Sequence, residues 1–152
     1  YKPQFMNKEY IYIALADDDE DDRLFFTDAF SELKINTKVQ TFNDGLALMN
    51  FLNSTNIFPN ILFLDLNMPI KNGIECLEEI KKNSRFNDIA IAIYSTSSSE
   101  EHIEETFVKG ANIYIKKPSD FATLKKTLSD VVTINWQYHT SGLNKDNFLL
   151  RI

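Results

Sequence analysis

Short apolar runs rich in β-formers alternate five times with stretches whose apolar residues recur at helical spacing, and this alternation leaves few folds open. The predicted strands are 10–16, 38–42, 61–64, 89–94 and 112–115. Most are continuously apolar, as strands covered on both faces must be, while the second is weaker and reads as an edge. Between them, helical spacing places Leu24, Phe25 and Leu33 on a first helix and Leu46, Met49 and Leu52 on a second, after an Asn43-Asp44-Gly45 turn. Ile74, Leu77 and Ile80 mark a third helix, Ile103 and Phe107 a fourth stopped by Gly110, and Phe121, Leu124, Leu128 and Val131 a fifth. The expectation is an α/β domain with a five-stranded parallel sheet and helices on both faces.

A chain of 152 residues, 43% hydrophobic, buries roughly 70% of its unfolded surface and needs no disulfide or structural metal. With one cysteine, Cys76, no intramolecular disulfide can form, which fits a reducing compartment, and the cytoplasm is the expected address. No apolar run approaches the ~20 residues of a membrane span. The net charge of −6 repels phosphate backbones and anionic lipid, so neither nucleic acid nor membrane is an expected partner. The expected domain is 8–139, preceded by an extension at 1–7 with no role in the fold. A tail at 140–152 follows, too short for an output domain; its Asn147-Phe148-Leu149-Leu150 segment is expected to pack back on the domain.

In an open α/β sheet, ligands sit in the crevice beyond the carboxyl ends of the strands. Asp17, Asp18 and Asp19 follow the first strand, Asp65 the third, Ser95 and Thr96 the fourth, and Lys116, Lys117 and Pro118 the fifth. Carboxylates brought together repel one another unless a cation sits between them. Mg²⁺ suits oxygen ligands, needs few carboxylates and accepts phosphoryl oxygens in its remaining positions; Mn²⁺ is an acceptable substitute. Asp17, Asp18 and Asp65 are formally neutralised by Mg²⁺ and one lysine. A phosphoryl group then needs donors aimed at its oxygens, which Lys117 and Ser95 supply, with Thr96 beside them. Phosphoryl transfer is mostly positioning and charge stabilisation, and Asp65 is a carboxylate able to form an acyl phosphate.

Asp17-Asp18, Asp65-Leu66-Asn67-Met68-Pro69 with Gly73, Ser95, and Lys117-Pro118, in that order at successive strand ends, resemble the response-regulator receiver family over roughly residues 8 to 135. The elements are weak singly and specific together. The resemblance implies a flavodoxin-like (βα)5 doubly wound sheet of strand order 2-1-3-4-5, in a chemotaxis-regulator-like, stand-alone domain. It implies that Asp18 ligates Mg²⁺ directly, Asp17 directly or through water, and Asn67 through its main-chain carbonyl, and that Asp65 is both ligand and phosphoacceptor. Ser95 would bond the phosphoryl group, Lys117 would pair with it, and the Lys117–Pro118 peptide would be cis. Tyr114 takes the aromatic switch position, turning inward as Ser95 moves toward the phosphoryl group. The implied partners are a sensor histidine kinase and a downstream protein. A homodimer through the fourth-helix to fifth-helix face or the tail is a further expectation. The family consists of phosphoacceptor signalling proteins that promote their own phosphotransfer and dephosphorylation rather than turning over a substrate.

Several neighbours have plainer readings. Asp19, Glu20, Asp21 and Asp22 suit a solvated helix start, since acids cap and complement a helix N-terminus. An EF-hand is excluded because its loop would place Asp22 where glycine is required. Lys116 reads as a surface charge, Ser98 or Ser99 as a helix cap, and Cys76 as inert. His102 and His139 match no metal spacing, and Trp136 is expected to pack the end of the fifth helix. Among competing functions, a haloacid-dehalogenase-type enzyme would carry an acid where Asn67 stands, and an FMN carrier a hydroxyl- and glycine-rich cradle where three aspartates stand. The remaining alternative is a degenerate receiver acting as a phosphorylation-independent interaction module.

Overall fold

The structure is a computed structural model that describes residues 10–141 and 150–151, with side chains for residues 10–135. In chain order the elements are β1 (Ile11–Ala16), α1 (Glu20–Glu32), β2 (Thr37–Phe42), α2 (Gly45–Ser54), β3 (Ile61–Leu64), α3 (Gly73–Lys81), a 3₁₀ turn (Ser84–Phe86), β4 (Ala90–Ser95), α4 (Glu100–Val108), β5 (Ile113–Lys116), α5 (Phe121–Ser141) and β6 (Leu150–Arg151). All strands pair in parallel, in the order β2-β1-β3-β4-β5-β6. The predicted five strands and their 2-1-3-4-5 order are present, and the flavodoxin-like architecture holds. β6 is an addition: Leu150 and Arg151 pair with Ile113 and Tyr114 on the outer edge of β5. Residues 142–149, and with them most of the expected tail segment, lie outside the described residues. So do the side chains of Trp136 and His139.

Strand periodicity sorts the core into two layers. Ala14, Leu62, Leu64, Ile91, Ile93 and Tyr114 face α2, α3 and α4, meeting Leu48, Leu52, Leu77, Ile80 and Ile103. Ile13, Leu15, Phe63, Ala92, Tyr94 and Ile115 face α1 and α5, meeting Phe26, Phe30, Leu124, Leu128 and Val131. Phe26 contacts Phe30, Phe63 and Tyr94 edge-on, with ring centroids 5.1, 5.0 and 5.6 Å away, a geometry worth about 0.5–1.5 kcal/mol per pair beyond burial. This aromatic group fixes Tyr94, one residue before the end of β4.

Two predicted core residues are corrected. Leu24 and Leu46 are 56% and 44% exposed. The buried stripe of α1 runs through Phe26, Ala29 and Phe30, and that of α2 through Leu48, Met49 and Leu52. A residue two positions before such a stripe lies across the helix from it. Helix starts follow the capping chemistry: Asp19 accepts from Asp22 N, Asp44 from Ala47 N, and Ser99 from His102 N. Asn72 and Glu75 form a reciprocal capping box on α3. Of the two serines proposed as the α4 cap, Ser99 is the one.

Between β3 and α3 the chain makes a tight turn at Ile70, whose φ is +69°. Lys71 N donates to Pro69 O at 2.7 Å across it, closing a γ-turn. A β-branched residue in this region is strained, typically by about 1–3 kcal/mol, and Ile70 is 75% exposed, so little packing offsets the strain. Ile70→Asn, which tolerates positive φ, is expected to stabilise the fold by about 1 kcal/mol in urea unfolding; a loss of stability of that size would contradict the strain.

Candidate functional site

The order β2-β1-β3 reverses the direction in which strands are added between β1 and β3, opening a crevice at the carboxyl edge of the sheet. Register aligns the strand ends: Ala16 pairs with Leu64, and Ser95 with Lys116. The next residues, Asp17 and Asp65, therefore stand side by side, tied by Asp65 N donating to Ala16 O at 3.0 Å. Gly73 keeps that edge compact, since a Cβ there would meet the Asp65 carbonyl oxygen.

Lys117 enters from β5, its N–H donating to Ser95 O at 2.8 Å. Its ammonium lies 2.8 Å from Asp17 Oδ2, 2.9 Å from Asp22 Oδ2 and 3.4 Å from Asp65 Oδ2, and 5.3 Å from the centre of the Tyr94 ring. Lys116 points out to solvent, as expected. Asp17 Oδ1 accepts from Asp19 N at 3.0 Å. Asp17 Oδ2 is fully buried, held against the Lys117 ammonium. Asp65 Oδ1 accepts from Asn67 N at 3.3 Å.

Asp17, Asp18 and Asp65 each offer an oxygen, all within 4.8 Å of one another. Lys117 sets a single positive charge against these three carboxylates. An all-oxygen set of two buried carboxylates and one exposed one, with more negative charge than one lysine balances, is a divalent-cation site by its chemistry, suited to Mg²⁺ or Mn²⁺. Exposed Asp18 and Asn67 line a groove of about 580 Å³ that runs from this cluster past Met68 to His102 and Glu105 on α4.

Burial pushes the Asp65 carboxyl up to about 6, and the Asp17 carboxylate adds to the rise against the pull of Lys117. For Lys117, burial works against the charge, but the carboxylates of Asp17, Asp22 and Asp65 reverse it and hold the ammonium above the ordinary lysine range. Cys76 is buried, its thiol pushed up to about 12 mainly by desolvation, in keeping with the inert role expected of it.

Ser95 is fully buried and its Oγ accepts from Ser97 N at 3.1 Å. Thr96, the other proposed phosphoryl contact, is exposed on the rim. Tyr114 is turned inward, 1% exposed, with its hydroxyl donating to Ser97 O at 2.8 Å. Ser97 Oγ bonds His102 Nδ1 at 2.8 Å and accepts from Ser99 N at 3.2 Å. Ser97 thus joins β4, β5 and α4, a role no sequence pattern signalled. The cis expectation at Pro118 is corrected: no described peptide bond is cis. Trans is the lower state of an X–Pro bond by about 0.5–1 kcal/mol, and in it Lys117 already reaches all three carboxylates. Asp22 was also misread as part of a solvated helix start.

The response regulator receiver domain family matches residues 13–129. The chain belongs to the response regulator receiver family. Response regulator Rcp1 of Synechocystis is 29% identical over 124 residues, 78% of this chain and 84% of that one. The probable methanogenesis regulatory protein FilR2 of Methanothrix harundinacea is 27% identical over 123 residues, 78% and 79% of the two chains. Among solved structures, the Mn²⁺-bound form of Rcp1 superposes with TM-score 0.72 at 28% identity, covering 81% of this chain and 92% of its own. The phosphorylated cyanobacterial phytochrome response regulator RcpA gives 0.75 at 26%, covering 85% and 93%. In this receiver, Asp17, Asp18 and Asp65 form the acidic cluster in which the family binds Mg²⁺ or Mn²⁺.

The raised Asp65 carboxyl sets a pH signature. Folding disfavours its ionised form, so the cost is present above pH 6 and fades as pH falls toward the unfolded value near 3.8. Without divalent cations, Asp65→Asn is expected to stabilise the fold at pH 7.5 by about 1–2 kcal/mol, with the gain shrinking below pH 6. Calorimetric melting from pH 4.5 to 8 checks this, and a variant less stable at pH 7.5 would contradict it.

Proposed function

We propose that the protein is a single-domain response regulator of a two-component phosphorelay. Asp65 accepts a phosphoryl group from the phosphohistidine of a sensor histidine kinase in a Mg²⁺-dependent reaction, and the domain signals to a protein partner by conformational switching. One observation carries the reading: the Asp65 carboxylate shares the Lys117 ammonium with Asp17 and converges with Asp17 and Asp18 within 4.8 Å. Two solved relatives, one Mn²⁺-bound and one phosphorylated, support it.

In this reading an Asp65 oxygen attacks the donor phosphorus, the P–O bond forms as the P–N bond breaks, and the departing imidazole carries away the nitrogen lone pair. Asp17, Asp18, Asp65 and the main-chain carbonyl of Asn67 would hold Mg²⁺, or Mn²⁺ in its place, which supplies positive charge to the phosphoryl oxygens. Lys117 balances the same charge from the other side and fixes the acceptor oxygen. Ser95 exchanges its bond from Ser97 N for one to a phosphoryl oxygen. That exchange reaches Tyr114 through Ser97, whose carbonyl holds the Tyr114 hydroxyl. The population of the inward state is thereby tied to the phosphoryl group. The surface so controlled is formed by α4, β5 and α5, which is where the downstream partner or a second copy would bind.

The receiver unit spans 8–139, and its setting is the cytoplasm. Among the described residues no helix is long and apolar enough to cross a membrane. Incubation with acetyl phosphate is expected to give a base-labile adduct in the intact mass only when Mg²⁺ is present, and none in Asp65→Asn. An adduct independent of both, or none with Mg²⁺, would overturn the reading and leave a phosphorylation-independent interaction module.

A further inference from the structure

The acidic start of α1 contains one residue that does not behave as a helix-start acid. Asp19 is the N-cap and accepts from Asp22 N at 3.1 Å. In a capping box the acid three positions on would turn back to the N-cap N–H. Here that N–H is already held by Asp17 Oδ1 at 3.0 Å. The Asp22 carboxylate instead crosses to Lys117 Nζ, 95 positions away in the chain, at 2.9 Å. Its neighbours Glu20 and Asp21 are exposed. The helix dipole explains an acid at this position but not its direction.

We propose that Asp22 is a positioning residue for Lys117, competing with the incoming phosphoryl oxygens for the ammonium and setting how readily the site accepts an anion. The inference rests on the phosphoacceptor reading above. Of the three carboxylates around Lys117, Asp17 is committed to the cation site and Asp65 to the phosphoryl group. Asp22 alone among them belongs to neither, so it is the partner Lys117 keeps or leaves. With Asp22 counted, the site carries one net negative charge even with a divalent ion bound, which disfavours a dianionic donor. Its side chain is 38% exposed, against 9% for Lys117. The restraint is therefore modest and can be overcome without unfolding anything.

Asp22→Asn is expected to bind beryllofluoride about 3–5-fold more tightly in the presence of Mg²⁺. The half-saturating acetyl phosphate concentration should fall by a similar factor, with the saturated rate unchanged. Asp21→Asn removes the same charge from the same helix turn without touching Lys117, and is expected to change neither quantity by more than about 1.5-fold. Asp22→Glu should return both toward wild type. Acetic anhydride labelling of Lys117, read by peptide mass, tests the contact with no phosphoryl chemistry involved and should be about 3-fold faster in Asp22→Asn than in Asp21→Asn. Equal labelling and equal beryllofluoride affinity in those two variants would overturn the role of Asp22 while leaving the phosphoacceptor reading intact. Faster labelling in a protein that forms no adduct would support the contact and sink the phosphoacceptor reading instead.

Discussion

The carboxyl edge of the sheet is organised around one buried ammonium. Lys117 is surrounded by Asp17, Asp22 and Asp65, delivered by three different parts of the chain. Buried charges persist only when paired, and here the negative charge exceeds what the lysine can balance. The Asp65 carboxyl is raised first by burial, and the neighbouring Asp17 carboxylate adds to the rise. The raised carboxyl is a cost to the fold, and a divalent ion in this acidic cluster would relieve it. Metal binding and stability at this edge are therefore one electrostatic balance.

The scaffold holds that balance in place. Parallel pairing sets the ends of β1 and β3 level, Gly73 lets α3 start against the Asp65 backbone, and the packed rings of Phe26, Phe63 and Tyr94 support the lysine from the core. On the other side of the crevice Ser97 links the buried Ser95 hydroxyl to Tyr114 and His102. These short, directional contacts run from the strand end at Ser95 to the α4–β5 surface.

Much of this was legible in the sequence because its signals were periodic or positional. Continuous apolar runs identified four buried strands, and the rule that ligands gather beyond strand ends pointed to the short stretches that hold Asp17, Asp65, Ser95 and Lys117. Helical spacing failed at Leu24 and Leu46, since an isolated leucine near a helix start can lie on either side of the stripe. Asp22 was hidden for a different reason. An acid three residues beyond an N-cap has a local explanation, and only the tertiary structure reveals its contact with Lys117, 95 positions away. Ser97 sat in a run of serines with nothing to distinguish it. β6 is two residues long, below what an alternation pattern can register.

The central claim is that Asp65, among all the carboxylates at this edge, becomes phosphorylated. Borohydride reduction after reaction with acetyl phosphate and Mg²⁺ converts an aspartyl phosphate to homoserine, which peptide mapping locates. The account predicts homoserine at Asp65 and at no other aspartate; homoserine at Asp17, Asp18 or Asp22, or at none, would contradict it.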